Sequence, residues 1–222
     1  MHRQCLDSNP SINFGCSTSP REVVSPAKEC GADRFSSLLS SSLIKVANSE
    51  QELDRIWDAR DEMFSTKYPV ISSRDTDQYD LNACVLFSQN DQGVVTSTAR
   101  IVLDSELGLP FMEHVPRNKL GSHLRSRHFA EPSKLAISPS AKGLLPLYMR
   151  SFYEIATGLN IESLIFICEA KKVGFYEKVV DGVVLIEDIG FGYGTNRCFS
   201  LLEWRLADSR EKLSIWLKEV LS

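Results

Sequence analysis

The sequence predicts a mixed α/β domain, a sheet flanked by helices, and three observations lead there. The first half carries two apolar, strand-like runs, residues 83–88 and 94–103, joined across Asn90, Asp91, Gln92 and Gly93, where glycine permits a hairpin turn. The stretch 131–178 then reads as strand, glycine-containing turn, helix, strand and short helix, a β-α-β order. Helical spacing recurs at 49–64 and 209–221. Hairpins first and β-α-β later give a mixed sheet with helices against it. At 222 residues and 43% hydrophobic, the chain buries one good core.

Each element follows from its local pattern. Residues 1–35 are rich in Ser, Pro, Asn and Gly without an apolar period, which predicts a flexible arm, and 36–222 form a single domain. Residues 43–46 make a first strand. Asn48 or Ser49 caps a helix running to about residue 64, with Leu53, Ile56, Trp57, Arg60 and Phe64 on one face. A loop carries Asp75, Asp77 and Asp80 before the hairpin. Leu135 and Ile137 alternate as in a strand, and Ser138, Pro139 and Gly143 break it. Leu144, Leu147, Tyr148, Ser151, Phe152 and Ile155 then mark one helical face, with Pro146 in the first turn and Gly158 at the end. Leu147, Tyr148, Phe152 and Phe166 line an apolar slot or are plain core. The run 164–168 suits a buried strand, 183–187 and 198–206 give two more, and the last helix turns Leu213, Trp216, Leu217 and Val220 inward.

Composition excludes several classes. A net charge of −4 argues against a dedicated nucleic-acid binder. No apolar run approaches the roughly 20 residues that span a bilayer, and the first residues lack a secretory apolar core, so a cytoplasmic protein without stable membrane insertion is expected. The six cysteines show no C-x-x-C spacing, so neither a zinc site nor a redox pair is indicated; Cys84 and Cys168 read as buried thiols. His114, His123 and His128 read as surface residues. The cluster Asp75, Asp77, Asp80 lacks the glycine and terminal glutamate of a calcium loop, and no metal is expected.

The turn around Lys142 and Gly143 places unpaired N–H groups and a positive dipole end where an anion such as a phosphorylated acyl carrier would approach; an ordinary β-to-α turn is the alternative. Strand, turn, helix, strand and a short helix with Phe175, Tyr176, Glu177 and Lys178 together resemble the acyl-CoA-binding half of the GNAT-type N-acyltransferase superfamily. The resemblance implies a mixed, mostly antiparallel central sheet. It implies that the strand and turn, through Lys134, Ala136, Ile137, Ser138, Lys142, Gly143 and Leu144, bind acyl-pantetheine, and that Tyr176 protonates the departing thiolate.

Upstream, Arg60, Phe64, Asp75, Asp77, Asp80, a strand-end Arg100 and Glu131 before Ser133, Lys134 and Leu135 resemble the autoinducer synthases and their relatives, the long-chain N-acyl amino acid synthases. Both groups draw the acyl chain from an acyl carrier protein. Lactone synthases usually read E-x-S-R-F where this chain reads EPSKL, which favours the amino acid branch. The resemblance covers residues 43–206. The usual pyrophosphate signature has an Arg or Gln and a second Gly where this chain has only SAKGLL, which points to a pantetheine arm delivered by a protein. The donor is thus acyl-phosphopantetheine on a carrier protein, or acyl-CoA, with no covalently bound cofactor.

The chemistry is attack of an amine on a thioester. An α-amine is largely protonated at neutral pH and must lose a proton first. Glu131 polarises or deprotonates it, directly or through water; alternatively it pairs with Arg100 and fixes the strand ends. Backbone N–H groups over 134–138 stabilise the tetrahedral oxyanion. Arg60 and Arg100 either hold the acceptor's carboxylate or tie down Asp75, Asp77 and Asp80 and order the loop, the role the resemblance implies; Arg100 is grouped with Glu131 and Tyr176 as catalytic. Arg117, Lys119, Arg125 and Arg127 lie in a segment without acids, as docking for an acidic carrier protein or as a solvated loop. Three functions stand: transfer of a long-chain acyl group from carrier protein to an amino acid, acyl-homoserine-lactone synthesis from S-adenosylmethionine, and non-catalytic acyl or coenzyme binding.

Overall fold

The computed structural model describes residues 32–65, 78–121, 124, 127–189 and 197–222. Among these residues, seven strands form one sheet: β1 (Lys45–Val46), β2 (Ala83–Gln89), β3 (Val95–Leu103), β4 (Phe129–Ile137), β5 (Ser163–Glu169), β6 (Val183–Ile186) and β7 (Phe199–Arg205). Their spatial order is β1-β2-β3-β4-β5-β7-β6, and every neighbouring pair is antiparallel except β4 with β5. The mixed, mostly antiparallel sheet expected from the sequence is therefore present. Gly93, at φ 77°, closes the β2–β3 hairpin, and the side chain of Asn90 accepts from the N–H groups of Gln92 and Val94 across it.

Among the described residues, five helices accompany the sheet: α1 (Ala32–Ser36), α2 (Glu50–Ser65), α3 (Leu145–Gly158), α4 (Val173–Val180) and α5 (Leu206–Leu221). Ser49 caps α2 by accepting from the N–H of Glu52 at 3.2 Å, while the Glu52 carboxylate accepts from the N–H of Asn48 at 2.9 Å. Buried apolar side chains fall on both sheet faces. On one, Leu86, Ile101, Leu164, Leu202 and Trp204 pack with α3, α4 and α5 through Tyr148, Phe152, Val180 and Leu213. On the other, Val85, Phe87, Val102 and Phe129 pack with Leu53 and Ile56 of α2 and with Leu109, Phe111, Val115 and Leu120 of the β3–β4 connection.

Four expectations shift at their edges. The arm over 1–35 lies outside the described residues up to 31, but 32–35 belong to α1, and Phe35 is buried, so a boundary at 35 falls within a packed helix. α3 begins at Leu145, because a 3-10 turn, Pro139–Leu144, intervenes after the strand. α5 starts at Leu206, three residues early, and Val220 is exposed on it. Gly158 closes α3 where a side chain would strike Leu38, its would-be Cβ lying 2.6 Å from Leu38 Cδ2.

Candidate active site

The parallel pair sets the site. β4 and β5 pair only at Phe129 with Ser163 and Ala130 with Leu164; β5 then runs on to Glu169, paired along its other edge with β7. Beyond Ala130 the two strands part, and 132–135 are partly exposed in the opening. A bulge accompanies the parting. Arg100 faces Ser133 and Thr98 faces Ala136, so Lys134 and Leu135 together oppose one residue of β3, and Lys134 adopts φ 52°. The N–H of Ser138 donates to Thr96 O at 2.9 Å, on the β3 side. Strand alternation therefore turns the N–H groups of Leu135 and Ile137 toward the opening. The sequence named the whole stretch 134–138 for this role; which of its N–H groups turn toward the opening follows from the pairing, since a bulge leaves no compositional mark.

The turn Pro139–Leu144 leads from this edge into α3. Lys142 and Gly143 are exposed, and nothing lies within 4 Å of a Cβ placed on Gly143. Ser138 and Ser140 pair through their hydroxyls at 2.8 Å. A strand edge with inward N–H groups, followed by an open helix entrance, suits an extended chain of amides ending in phosphate, the form of a phosphopantetheine arm.

Beside the opening, on the α2 face, three charges meet. Asp80, in the 3-10 turn Gln78–Asn82, bonds Arg60 Nη1 through Oδ2 at 2.7 Å and Arg100 Nη1 through Oδ1 at 3.0 Å. The indole Nε1 of Trp57 donates to Oδ2 at 2.7 Å, Arg60 Nε to Thr98 Oγ1 at 3.2 Å and Arg100 Nε to Ser133 Oγ at 2.9 Å. Burial alone would raise the Asp80 pKa, but the two guanidiniums and the indole outweigh it and hold the carboxyl below the usual range. Asp75 and Asp77 lie outside the described residues. Trp57 joins by a route the helical face concealed: its ring packs with the core while its N–H reaches the carboxylate. Tyr79 adds a platform, with Arg100 5.7 Å from its ring centre and its hydroxyl donating to Glu113 at 2.8 Å. Burial and that bond push the Tyr79 pKa up to about 12.

Glu131 is buried on β4, and its Oε2 accepts from the backbone N–H of Phe111 at 2.8 Å. It faces the same side as Ser133, two residues on. Phe64, on α2, lies 5.9 Å from the Lys134 ammonium.

Tyr176 stands on the other face. Its ring meets Phe166 edge-on at 4.8 Å and Phe175 at 5.1 Å, and Phe166 belongs to the part of β5 that has left β4. Burial, with a smaller contribution from Cys168, drives its pKa well above that of a free phenol. α4 is held by its C-terminal cap, where the N–H of Gly182 donates to Tyr176 O at 3.1 Å, and by the ion pair of Asp181 with Lys212 of α5. Cys168 is buried and its pKa is pushed up to about 11, chiefly by that burial, as fits an inert thiol. Glu169, at the end of β5, was not anticipated: it is buried and binds Lys171 at 2.9 Å and Arg197 at 2.8 Å.

The basic segment is less open than its sequence suggests. Arg117 pairs with Asp104, and Arg127 pairs with Glu203 at 3.0 Å, both acids coming from distant strands or loops. Lys119 is exposed, and Arg125 lies outside the described residues. His114 and His128 are exposed, with His123 outside the described residues. Tyr148, Phe152 and Phe166 sit in the core with Leu147 at its edge. A groove of about 640 Å³ between α3 and α5, lined among others by Arg150, Tyr153, Leu213 and Lys218, shares no residue with the β4–β5 opening. Among the described residues, no three His, Cys, Asp or Glu are grouped to hold a metal, and no helix is long and apolar enough to cross a membrane.

A mostly antiparallel sheet whose one parallel pair splays at a bulge, followed by a turn and helix, defines the GNAT-type acyltransferase architecture. The sequence pattern of the family described as N-acyl amino acid synthase FeeM matches residues 59–188, more than half of the chain, and the protein belongs to that family. Similar solved structures include FeeM, an N-acyl amino acid synthase from uncultured soil microbes, at 18% identity over 76% of this chain and 93% of that one, with a TM-score of 0.60. The acyl-homoserine-lactone synthase LasI is alike at 20% identity over 77% and 93%, also with a TM-score of 0.60. BjaI, a CoA-dependent acyl-homoserine lactone synthase solved with SAM and isopentyl-CoA, shows 14% identity over 77% and 82%, with a TM-score of 0.57. These three likenesses establish a common fold. No curated protein matches the chain by sequence. The protein is an acyl-group-transferring enzyme of this family.

Proposed function

We propose that this enzyme is an N-acyl amino acid synthase, moving a long-chain fatty acyl group from acyl carrier protein to the α-amine of an amino acid in the cytoplasm. The observation that carries the reading is the β4–β5 opening, with its bulge at Lys134 and Glu131 on the same strand. The pantetheine arm lies along the exposed edge of β4, its amides meeting the backbone groups that turn toward the opening, as at Ile137, whereas those of Ala136 face β3. Lys142, Gly143 and Leu144 receive the phosphate. Glu131, steadied by the Phe111 N–H, takes a proton from the acceptor's ammonium through water. The free amine attacks the thioester carbon, and the N–H groups of Leu135 and Ile137 bind the developing oxyanion. Collapse expels the pantetheine thiolate, which Tyr176 protonates. Arg60, Asp80 and Arg100 act as a buried brace that ties α2, with Phe64, to β3 beside the acceptor.

Incubation with acylated carrier protein and a mixture of the proteinogenic amino acids, followed by mass spectrometry, tests this directly. An N-acyl amino acid is expected. Release of methylthioadenosine and a lactone, when S-adenosylmethionine is supplied instead, would transfer the protein to lactone synthesis, and faster turnover with acyl-CoA would overturn the carrier-protein donor.

A further inference from the structure

We propose that the side chain of Lys134 binds the carboxylate of the acceptor and so selects amino acids over simple amines; this rests on the N-acyl amino acid synthase reading. The first ground is direction. In an unbroken strand Ser133 and Lys134 would point to opposite faces. Here Ser133 bonds Arg100 on the α2 face, and Lys134, turned by φ 52° at the bulge, also reaches that face, over the ring of Phe64. Leu135 takes the other direction, into the cluster under α3. The bulge thus brings a cation to the acceptor side of the same strand edge that offers its N–H groups to the thioester.

The second ground is access. Arg60 and Arg100, the other cations of this face named from the sequence, are 0% and 2% exposed and are committed to Asp80. A solute's carboxylate reaches neither without breaking that brace. Lys134 is partly exposed at the opening. The third ground is spacing. Glu131 and Lys134 are three residues apart on β4, about 10 Å along a strand. An α-amino acid whose carboxylate meets Lys134 has its amine on the Glu131 side, joined to that buried carboxylate through water, and presents the nitrogen to the thioester. A non-glycine residue at positive φ is costly, and such positions gather at binding sites.

Lys134→Gly tests the idea with little disturbance, since glycine accepts φ 52° freely and keeps the backbone N–H groups in place. Lys134→Arg keeps the cation. With acylated carrier protein as donor, leucine competes against 3-methylbutylamine, and phenylalanine against 2-phenylethylamine, their decarboxylated counterparts. The wild type is expected to acylate the amino acid preferentially. Lys134→Gly should raise the KM for the amino acid about 10- to 100-fold, as loss of a charged hydrogen bond does, and abolish the preference; Lys134→Arg should retain most of the preference. A Lys134→Gly enzyme that still prefers the amino acid as strongly as wild type overturns the assignment. A wild type that acylates neither amino acids nor amines overturns the proposed reaction itself.

Discussion

Asp80 Oδ2 stands 2.7 Å from Arg60 Nη1 with both side chains shut away from water, their exposures 1% and 0%. Arg100 joins the group at 3.0 Å, so one carboxylate bridges two buried guanidiniums. Such an arrangement adds little net stability over an apolar one, yet removing one partner strands the rest. Asp80→Asn keeps the shape and an oxygen for the Trp57 indole while deleting the charge. It should lower unfolding free energy by about 3–5 kcal/mol in urea denaturation; a loss below about 1 kcal/mol would show that the brace is not what holds α2 to β3.

The same carboxylate predicts an acid dependence. Its folded pKa is held below the unfolded value of about 3.9, so its contribution is present above that pH and is lost as pH falls through the folded pKa. Melting followed from pH 6 to pH 2 should therefore show the gap between wild type and Asp80→Asn closing below about pH 4. A constant gap would contradict the depressed pKa.

Periodicity made most of the fold legible. The helical face of Leu53, Ile56, Trp57 and Arg60 and the turn at Gly93 are local signals, and the structure has both. The brace was half legible: Arg60, Asp80 and Arg100 stood out by type and order, whereas Trp57 read as core because an indole serves packing and hydrogen bonding at once. What the sequence hid depends on register. The bulge at Lys134 comes from two residues of β4 opposing one of β3, a fact of pairing with no local signature. Likewise, the acids that bind Arg117 and Arg127 are 13 and 76 residues away, so a segment without acids looked freer than it is.

That pairing changes how carrier-protein docking must be probed. Reversing Arg127 would place a new carboxylate against buried Glu203 and damage the fold, whereas Lys119 is exposed. Lys119→Glu should raise the KM for acylated carrier protein several-fold at low ionic strength, with the effect shrinking in 0.5 M salt, and leave kcat unaltered. An unchanged KM at low salt would remove this segment from the docking surface.

Glu131 accepts from the Phe111 N–H, an interaction glutamine reproduces through its amide oxygen. Glu131→Gln should therefore keep that contact and lose basicity. If the carboxylate takes the acceptor's proton, kcat should fall about 100-fold or more, with the KM for donor unchanged and the acid limb of the pH–rate profile lost. Activity within a few-fold of wild type would reduce Glu131 to a strut between β4 and the segment bearing Phe111.

Tyr176 is set against Phe166 with its pKa raised, so its phenol stays protonated throughout the neutral range. A proton donor to the departing thiolate needs that state. Tyr176→Phe keeps the ring packing and removes the proton. With an acyl-pantetheine donor, turnover should slow about 100-fold, the low end for a general acid, while donor KM holds. An aryl thioester of the same acyl chain releases a thiolate stable without protonation, so with that donor the deficit should shrink to a few-fold. An equal deficit with both donors would mean that Tyr176 shapes the opening without donating the proton, and a raised KM for donor would place it in binding.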